Sequence, residues 1–248
     1  MVNEDVPLNI IGVELCPCDL GYEIQSGPNL VSWPSRSSCS VGDAIPDEFE
    51  NHICGIIGEG VATIPNETFG WQGSLDSLMG GKGYWLCSEI DMYYNWDACS
   101  CSGSLSRITT DDIKINSEYF NQSSKQAFYF IEDIENIEIG DWILSFNGDE
   151  VIGAREWTGD IIDIPAMGDD GSDYTKGYIG RGEVPSFKIL RGDELISLEG
   201  DIPSWDNNQL YMVSSLTEAV ALPETFSLDR AYPNPFNPTT TLSFAIPV

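Results

Sequence analysis

Short runs of β-branched and aromatic residues, cut every few positions by Gly, Pro, Asn and Asp, dominate the chain and predict strands rather than helices. The clearest are Asn29–Trp33 (NLVSW), Gly83–Leu86 (GYWL), Gln126–Ile131 (QAFYFI), Asp141–Phe146 (DWILSF) and Ser186–Leu190 (SFKIL). Asn147-Gly148-Asp149 separates DWILSF from EVIGARE, and the positive φ that Asn-Gly supplies predicts a tight hairpin there. Helical signals are confined to Pro46–Ile53 (PDEFENHI), with an early Pro and acids in its first turn, and Ser74–Met79 (SLDSLM), which stops before Gly80-Gly81. The expected fold is therefore all-β with minor helix.

A polar stretch from Ser102 to Ser124 divides the chain into a half with all the cysteines and a half with none. The expected organisation is a disulfide-bearing β-rich domain over residues 1–105, a Cys-free β-sandwich-like domain over 106–221, and an extended Pro-rich tail over 222–248. A weak repeat spans the division. Trp71–Leu75 followed by Lys82-Gly83-Tyr84 is similar to Trp157–Ile161 followed by Lys176-Gly177-Tyr178, and Gly58–Ala62 is similar to Gly148–Ile152.

At 248 residues with 42% hydrophobic and 11% aromatic positions, the composition is that of folded domains with sizeable cores. Forty acidic against 11 basic residues give a net charge of -29, which repels phosphate backbones and anionic lipid, so nucleic acid is not an expected partner. No apolar run approaches the roughly 20 residues of a membrane-spanning helix. The opening MVNEDVPLNI has neither the basic nor the apolar region of a secretory signal, so an exported form is expected to have lost its signal or to lack it in this sequence.

The seven cysteines are Cys16, Cys18, Cys39, Cys54, Cys87, Cys99 and Cys101, and His52 is the only histidine. Zinc sites favour Cys-x-x-Cys pairs and histidines, whereas these short spacings are Cys-x-Cys, so disulfides in an oxidising compartment are expected. The odd count leaves one thiol free or intermolecular. A direct Cys16–Cys18 bridge would close a strained ring, which favours ties from that pair to Cys99 and Cys101.

Little in the sequence points to catalysis. His52 and Cys54 are two apart on an expected helix and diverge, and in so acidic a chain no carboxylate pair can be singled out. No enzyme activity is expected. Gly168–Asp173 sets Asp169, Asp170 and Asp173 around a glycine turn, a candidate calcium loop that lacks the terminal Glu of an EF-hand. Asn66 and Asn121 fit the N-glycosylation pattern, and Ser77 sits in an Asp-Ser-Leu tripeptide resembling a bacterial O-glycosylation acceptor. The seven tryptophans, Trp33, Trp71, Trp85, Trp96, Trp142, Trp157 and Trp205, suggest a carbohydrate-binding or adhesin module as an alternative role.

The C-terminal segment reads LPETFSLDRAYPNPFNPTTTLSFAIPV. From Phe226 onward it resembles the beginning of the type IX secretion sorting domain. Tyr232–Pro238 matches the Tyr-Pro-Asn-Pro-Phe-Asn-Pro core of that family and Thr239–Ile246 matches its Thr-rich strand. Upstream, NLVSWP, WQGSLDSLMGGKGYW and GDWILSFNGDEVIGARE are similar to modules that precede such signals in multidomain surface proteins. The resemblance covers about a tenth of the chain and implies a secreted bacterial protein, extracellular or on the cell surface. Pro233, Pro235 and Pro238 stiffen the lead-in. The segment Thr240, Thr241, Leu242, Ser243, Phe244, Ala245 and Ile246 then alternates as a strand that can dock on its own domain or add to a sheet edge of another copy. Repeated head to tail, the second arrangement builds a homo-oligomeric filament. A cell-surface structural protein assembled in this way is the expected function.

Overall fold

The computed structural model describes residues 19–97, 119–219, 226–235 and 238–245. Over the described residues the chain is all-β with two one-turn helices. Its first half contains β1 (Gly21–Ile24), β2 (Gly27–Ser32), β3 (Cys39–Ser40), α1 (Val41–Ala44), α2 (Asp47–Glu50), β4 (Ile53–Ile57), β5 (Ala62–Asn66), β6 (Gly70–Gly73), β7 (Ser77–Leu78), β8 (Gly83–Ser88) and β9 (Met92–Asn95). A five-stranded sheet runs in the order β2-β8-β4-β5-β6, with the pairs β1-β9 and β3-β7 beside it. Alternation along β8 puts Tyr84, Leu86 and Ser88 inside. They join a core of Val31, Ile53, Ile56 and Leu78 and an aromatic cluster in which Trp96 meets Trp33 at 5.6 Å and Tyr94 at 5.1 Å. Both of those indoles hand their N–H to backbone, Trp33 to Ser37 and Trp96 to Ser32, so burial leaves neither unpaired.

The second half is a two-sheet sandwich. It contains β10 (Gln126–Ile131), β11 (Trp142–Asn147), β12 (Glu150–Glu156), β13 (Ile162–Met167), β14 (Ser186–Arg191), β15 (Glu194–Glu199), β16 (Leu210–Val213) and β17 (Thr217–Glu218). One sheet has the order β13-β10-β16, the other β12-β11-β14-β15-β17. The β11–β12 hairpin turns through Gly148 at φ 60°, as the Asn-Gly signal predicts. Between β12 and β13, which lie in different sheets, Gly153 is required, because a Cβ there would lie 1.7 Å from the Pro165 carbonyl oxygen. The same carbonyl accepts the buried Ser145 hydroxyl at 2.6 Å.

The halves are joined through β10, which is buried on both faces. Ala127, Tyr129 and Ile131 enter the sandwich core, while Phe128 and Phe130 pack on Ile57 and Ala62 of the first half, with Ile64, Trp85 and Leu210 around them. Polar clips surround this contact. Gln126 donates its amide to the Gly58 carbonyl at 2.7 Å and accepts from the Gly60 N–H. Asp163, opposite Phe130 in the β10–β13 ladder, accepts from the Ala62 N–H at 3.1 Å, the Ser74 hydroxyl at 2.6 Å and Arg155 Nη2 at 3.1 Å. Arg155 also donates to the carbonyls of Gly60 and Asp163. Burial pushes the Asp163 carboxyl above its ordinary range, with Arg155 and Ser74 opposing.

Ser74–Met79 is not a helix: the Ser74 hydroxyl is committed to Asp163, the Leu75 N–H to the Ala62 carbonyl, and Ser77–Leu78 pairs with Cys39–Ser40. The helix expected over Pro46–Ile53 is reduced to one turn, since Ile53 already begins β4. The internal likeness holds for Gly58–Ala62 and Gly148–Ile152, both of which lead through hairpin turns, but not for the tyrosines, because Tyr84 lies in β8 and Tyr178 in a loop.

Cys54 and Cys87, on the paired strands β4 and β8, form a disulfide, and Cys39 is disulfide-bonded as well. Cys16, Cys18, Cys99 and Cys101, and with them the expected ties between those pairs, lie outside the described residues.

Two predictions follow from this packing. Peptide mapping without reduction is expected to recover Cys54 and Cys87 as one linked pair, and Cys54→Ala/Cys87→Ala to cost about 3–4 kcal/mol in denaturant unfolding, the value for closing a loop of this length, the two residues being 33 apart in sequence. Recovery of both as freely alkylated thiols contradicts the pairing. At the junction, Asp163→Ala strands the Arg155 guanidinium in a buried site and is expected to cost about 3–5 kcal/mol. A loss under about 0.5 kcal/mol, the range of surface substitutions, would show that the junction does not hold the halves together.

Candidate functional site

The tail is a small hairpin. β18 (Ser227–Leu228) pairs antiparallel with β19 (Phe244–Ala245), Leu228 directly opposite Phe244. Asp229 N–H donates to the Ser243 carbonyl, and Tyr232 and Thr241 exchange both backbone hydrogen bonds. The strand expected over Thr239–Ile246 is thus only two residues of ladder plus the Thr241 bridge, with Thr240 fixing its hydroxyl to the Pro233 carbonyl at 3.0 Å. Ile246 lies outside the described residues. Within the tail, β19 has therefore found a partner in β18.

This partner covers only one edge. A two-stranded hairpin has too little buried surface to be stable alone in water. Here Phe226, Leu228, Leu242 and Phe244 are 76, 72, 58 and 67% exposed. Leu228 and Phe244 face one another across the ladder, and Phe226 and Leu242, each two residues away, extend the same face. From Ala231 onward the sequence carries no charged residue, in a chain whose net charge is -29. The hairpin carries one acid and one base, Asp229 and Arg230, and is otherwise an apolar, two-edged element attached to a strongly acidic body.

The remaining sequence candidates are placed as follows. The loop of Asp169, Asp170 and Asp173 is held by its own hydrogen bonds rather than opened toward a cation. The Asp170 carboxylate accepts from the Ser124 and Ser172 N–H groups and from the hydroxyls of Ser124, Ser172 and Thr175, and these bonds, that of Ser172 first, hold its pKa far below the carboxylate range. Asp169 caps the Gly171 N–H, and Asp173 is exposed. Among the described residues no three His, Cys, Asp or Glu side chains converge as a metal site. In this arrangement Asp170 closes a latch between 124 and 175.

Asn66 closes an Asx turn by accepting from the Thr68 and Phe69 N–H groups, while Asn121 is exposed and donates to the Tyr174 carbonyl. Ser77 is half-buried at the edge of a cavity of about 530 Å³, which Lys82, Tyr84 and Arg155 also line. Cys54 is spent in its disulfide, which removes the thiol that a His52–Cys54 nucleophile pair requires. Trp33, Trp96, Trp157 and Trp205 are buried and Trp71, Trp85 and Trp142 half-buried, so the indoles serve packing and do not form an exposed planar platform.

A second feature was not anticipated from the sequence. A groove of about 860 Å³ runs between the halves, walled by Ile64, Pro65, Leu210, Met212 and the Cys54–Cys87 disulfide. Its far wall is β16, the last strand of its sheet. The carbonyls of Gln209 and Val213 accept from Phe128 and Glu132, which turns the odd-numbered residues of β16 toward β10. Leu210 and Met212 therefore present their backbone groups at the open edge. The only advance signal was QAFYFI itself: an unbroken apolar run is the mark of a strand covered on both faces, and what covers β10 on one side is what forms the groove.

Compared with known protein families, curated proteins and solved structures, the chain matches none.

The latch yields a pH prediction. The folded pKa of Asp170 lies below the unfolded value, near 3.9, so its contribution is present in full above that value and is lost as pH falls toward the folded pKa. Amide exchange at Ser124 and Ser172, followed by NMR, is expected to lose protection below the ordinary carboxylate range, and Asp170→Asn to lose it already at neutral pH. Equal protection in parent and variant at neutral pH would show that the carboxylate does not hold the loop.

Proposed function

We propose that this chain is an extracellular structural protein of a bacterial cell surface, a subunit of a filament or matrix in which the C-terminal hairpin of one copy adds to a sheet of the next. The observation that carries this reading is the hairpin, whose apolar face and outer edges are uncovered among the described residues and which bears no charge from Ala231 on. A sheet with an open edge and one apolar face gains hydrogen bonds and buried area by adding to another sheet. Such a contact joins unlike surfaces and propagates unless it closes into a ring.

Export is supported by two independent features. The tail resembles the start of a type IX secretion sorting domain on Tyr232–Pro238, and the disulfides at Cys54–Cys87 and Cys39 suit an oxidising compartment. A structural role fits the rest of the chain better than a catalytic one: its sole imidazole sits in the turn after α2, and the neighbouring thiol is oxidised. A net charge of -29 keeps the bodies of two copies apart and leaves the tail as the part that approaches without repulsion.

The reading is tested by comparing the full chain with a form ending at Thr225, using electron microscopy and sedimentation velocity. The full chain is expected to form polymers that lengthen with concentration, and the truncated form to remain monomeric. A truncated form that polymerises like its parent, or a parent that stays monomeric throughout, would remove the tail from assembly.

A further inference from the structure

We infer that the receiving site for this tail is the groove beside β16, and that its occupant is the β19 strand of a second copy of this chain; the inference rests on the assembly reading above. Three features of the groove point to an extended peptide. Leu210 and Met212 offer outward N–H and C=O groups at strand spacing, the pattern that another strand completes. Asn208 lines the same groove, is 8% exposed, and has a buried Oδ1 that accepts no hydrogen bond, an orphaned acceptor at the point where the strand begins. Ile64, Pro65 and the half-exposed Met212 supply apolar walls for alternate side chains.

The choice of a second copy over another peptide comes from charge and pattern. Glu50, Glu67 and Glu89 stand at the groove, so an acidic segment is repelled from it. In this chain, with 40 acids against 11 bases, the stretch from Ala231 on is free of charge. It also has apolar residues at alternate positions, Leu242 and Phe244, both exposed and two apart, so both turn the same way when β19 lies against β16. The hairpin need not open: β18 occupies one edge of β19, and the other edge is the one offered. The result is a third strand for a hairpin that lacks one and a neighbour for an edge that lacks one.

The test uses two variants of the full chain, each defective on one side of the contact. Met212→Pro removes an outward N–H while sparing the ladder to β10, a position where an edge strand tolerates proline. Phe244→Asp places a charge on the donated face. Each variant alone is expected to sediment as a monomer. Their equimolar mixture is expected to give 1:1 dimers and nothing longer, because one variant keeps an intact tail and the other an intact groove. Polymers that persist in Met212→Pro but vanish in Phe244→Asp would leave strand donation standing and overturn this groove as its acceptor. Polymers in Phe244→Asp, or a monomeric parent at every concentration, would overturn the assembly reading and the groove with it. Should Met212→Pro lose the parent's near-ultraviolet circular dichroism, Asn208→Gly decides instead, since Asn208 has φ 57° and glycine keeps that backbone. It is expected to raise the concentration needed for assembly roughly tenfold, as loss of one hydrogen bond does, and an unchanged threshold would overturn the groove.

Discussion

The Asp163 carboxylate is the point on which the arrangement of the two halves depends. It is buried between them and shared by Arg155 of its own sandwich and by Ala62 and Ser74 of the other half. Removing a carboxylate and a guanidinium from water costs several kcal/mol per ion, so the pair adds little stability compared with an apolar plug of the same volume. What it adds is geometry. Donors must stand at fixed directions around Oδ2, and the same Arg155 Nη2 that reaches it must also reach the Gly60 carbonyl, so a small shift between the halves leaves a buried charge unpaired. The apolar contact of Phe128 and Phe130 with Ile57 and Ala62 supplies attraction, and the ion pair with its satellites sets the register in which that attraction acts.

That register creates the groove. Leu210 of the second half packs in the same apolar patch as Ile57 and Ile64 of the first, which brings the open side of β16 beside the Cys54–Cys87 strands. A disulfide across β4 and β8 stiffens the near wall, and the parallel β10–β16 pairing fixes the far one. The site belongs to the junction, and anything that loosens Asp163 loosens it too.

Much of the fold was legible in the sequence because local signals and tertiary demands agree. NLVSW, GYWL, QAFYFI, DWILSF and SFKIL all lie in strands to within two residues, and the Asn-Gly hairpin turns where its φ requirement placed it. SLDSLM failed for the opposite reason. Its spacing suits a helix, but Ser74 and Leu75 are more valuable as partners for Asp163 and Ala62, contacts 89 and 13 positions away that no local window can see. The hydrogen bonds of Asp170 were hidden similarly: the serines and the threonine that surround it come from 124 as well as from 172 and 175, and only the fold brings them together. The groove was illegible for a further reason, since it is made by the relative placement of two halves and by the direction in which odd and even residues of a four-residue strand point.

The tail differs from the body in the kind of information it carries. In the body, burial selects each residue: β10 is apolar on both faces because both faces are covered, and β8 alternates because one face is. In the hairpin no burial within the described residues accounts for Phe226, Leu228, Leu242 and Phe244, and single exposed apolar residues are ordinary, whereas a set that shares one face of a ladder is not. On the reading proposed above, recognition by an export apparatus and addition to a neighbouring copy would both call for such a face and would ask the same of it: apolar, extended and incomplete as a sheet. On the assembly proposed above, a segment suited to the first task would also suit the second, and a net charge of -29 would disfavour contacts between the bodies themselves. Assembly of that kind would require no further apolar surface on the body, only an edge that is open and a groove from which acidic segments are repelled.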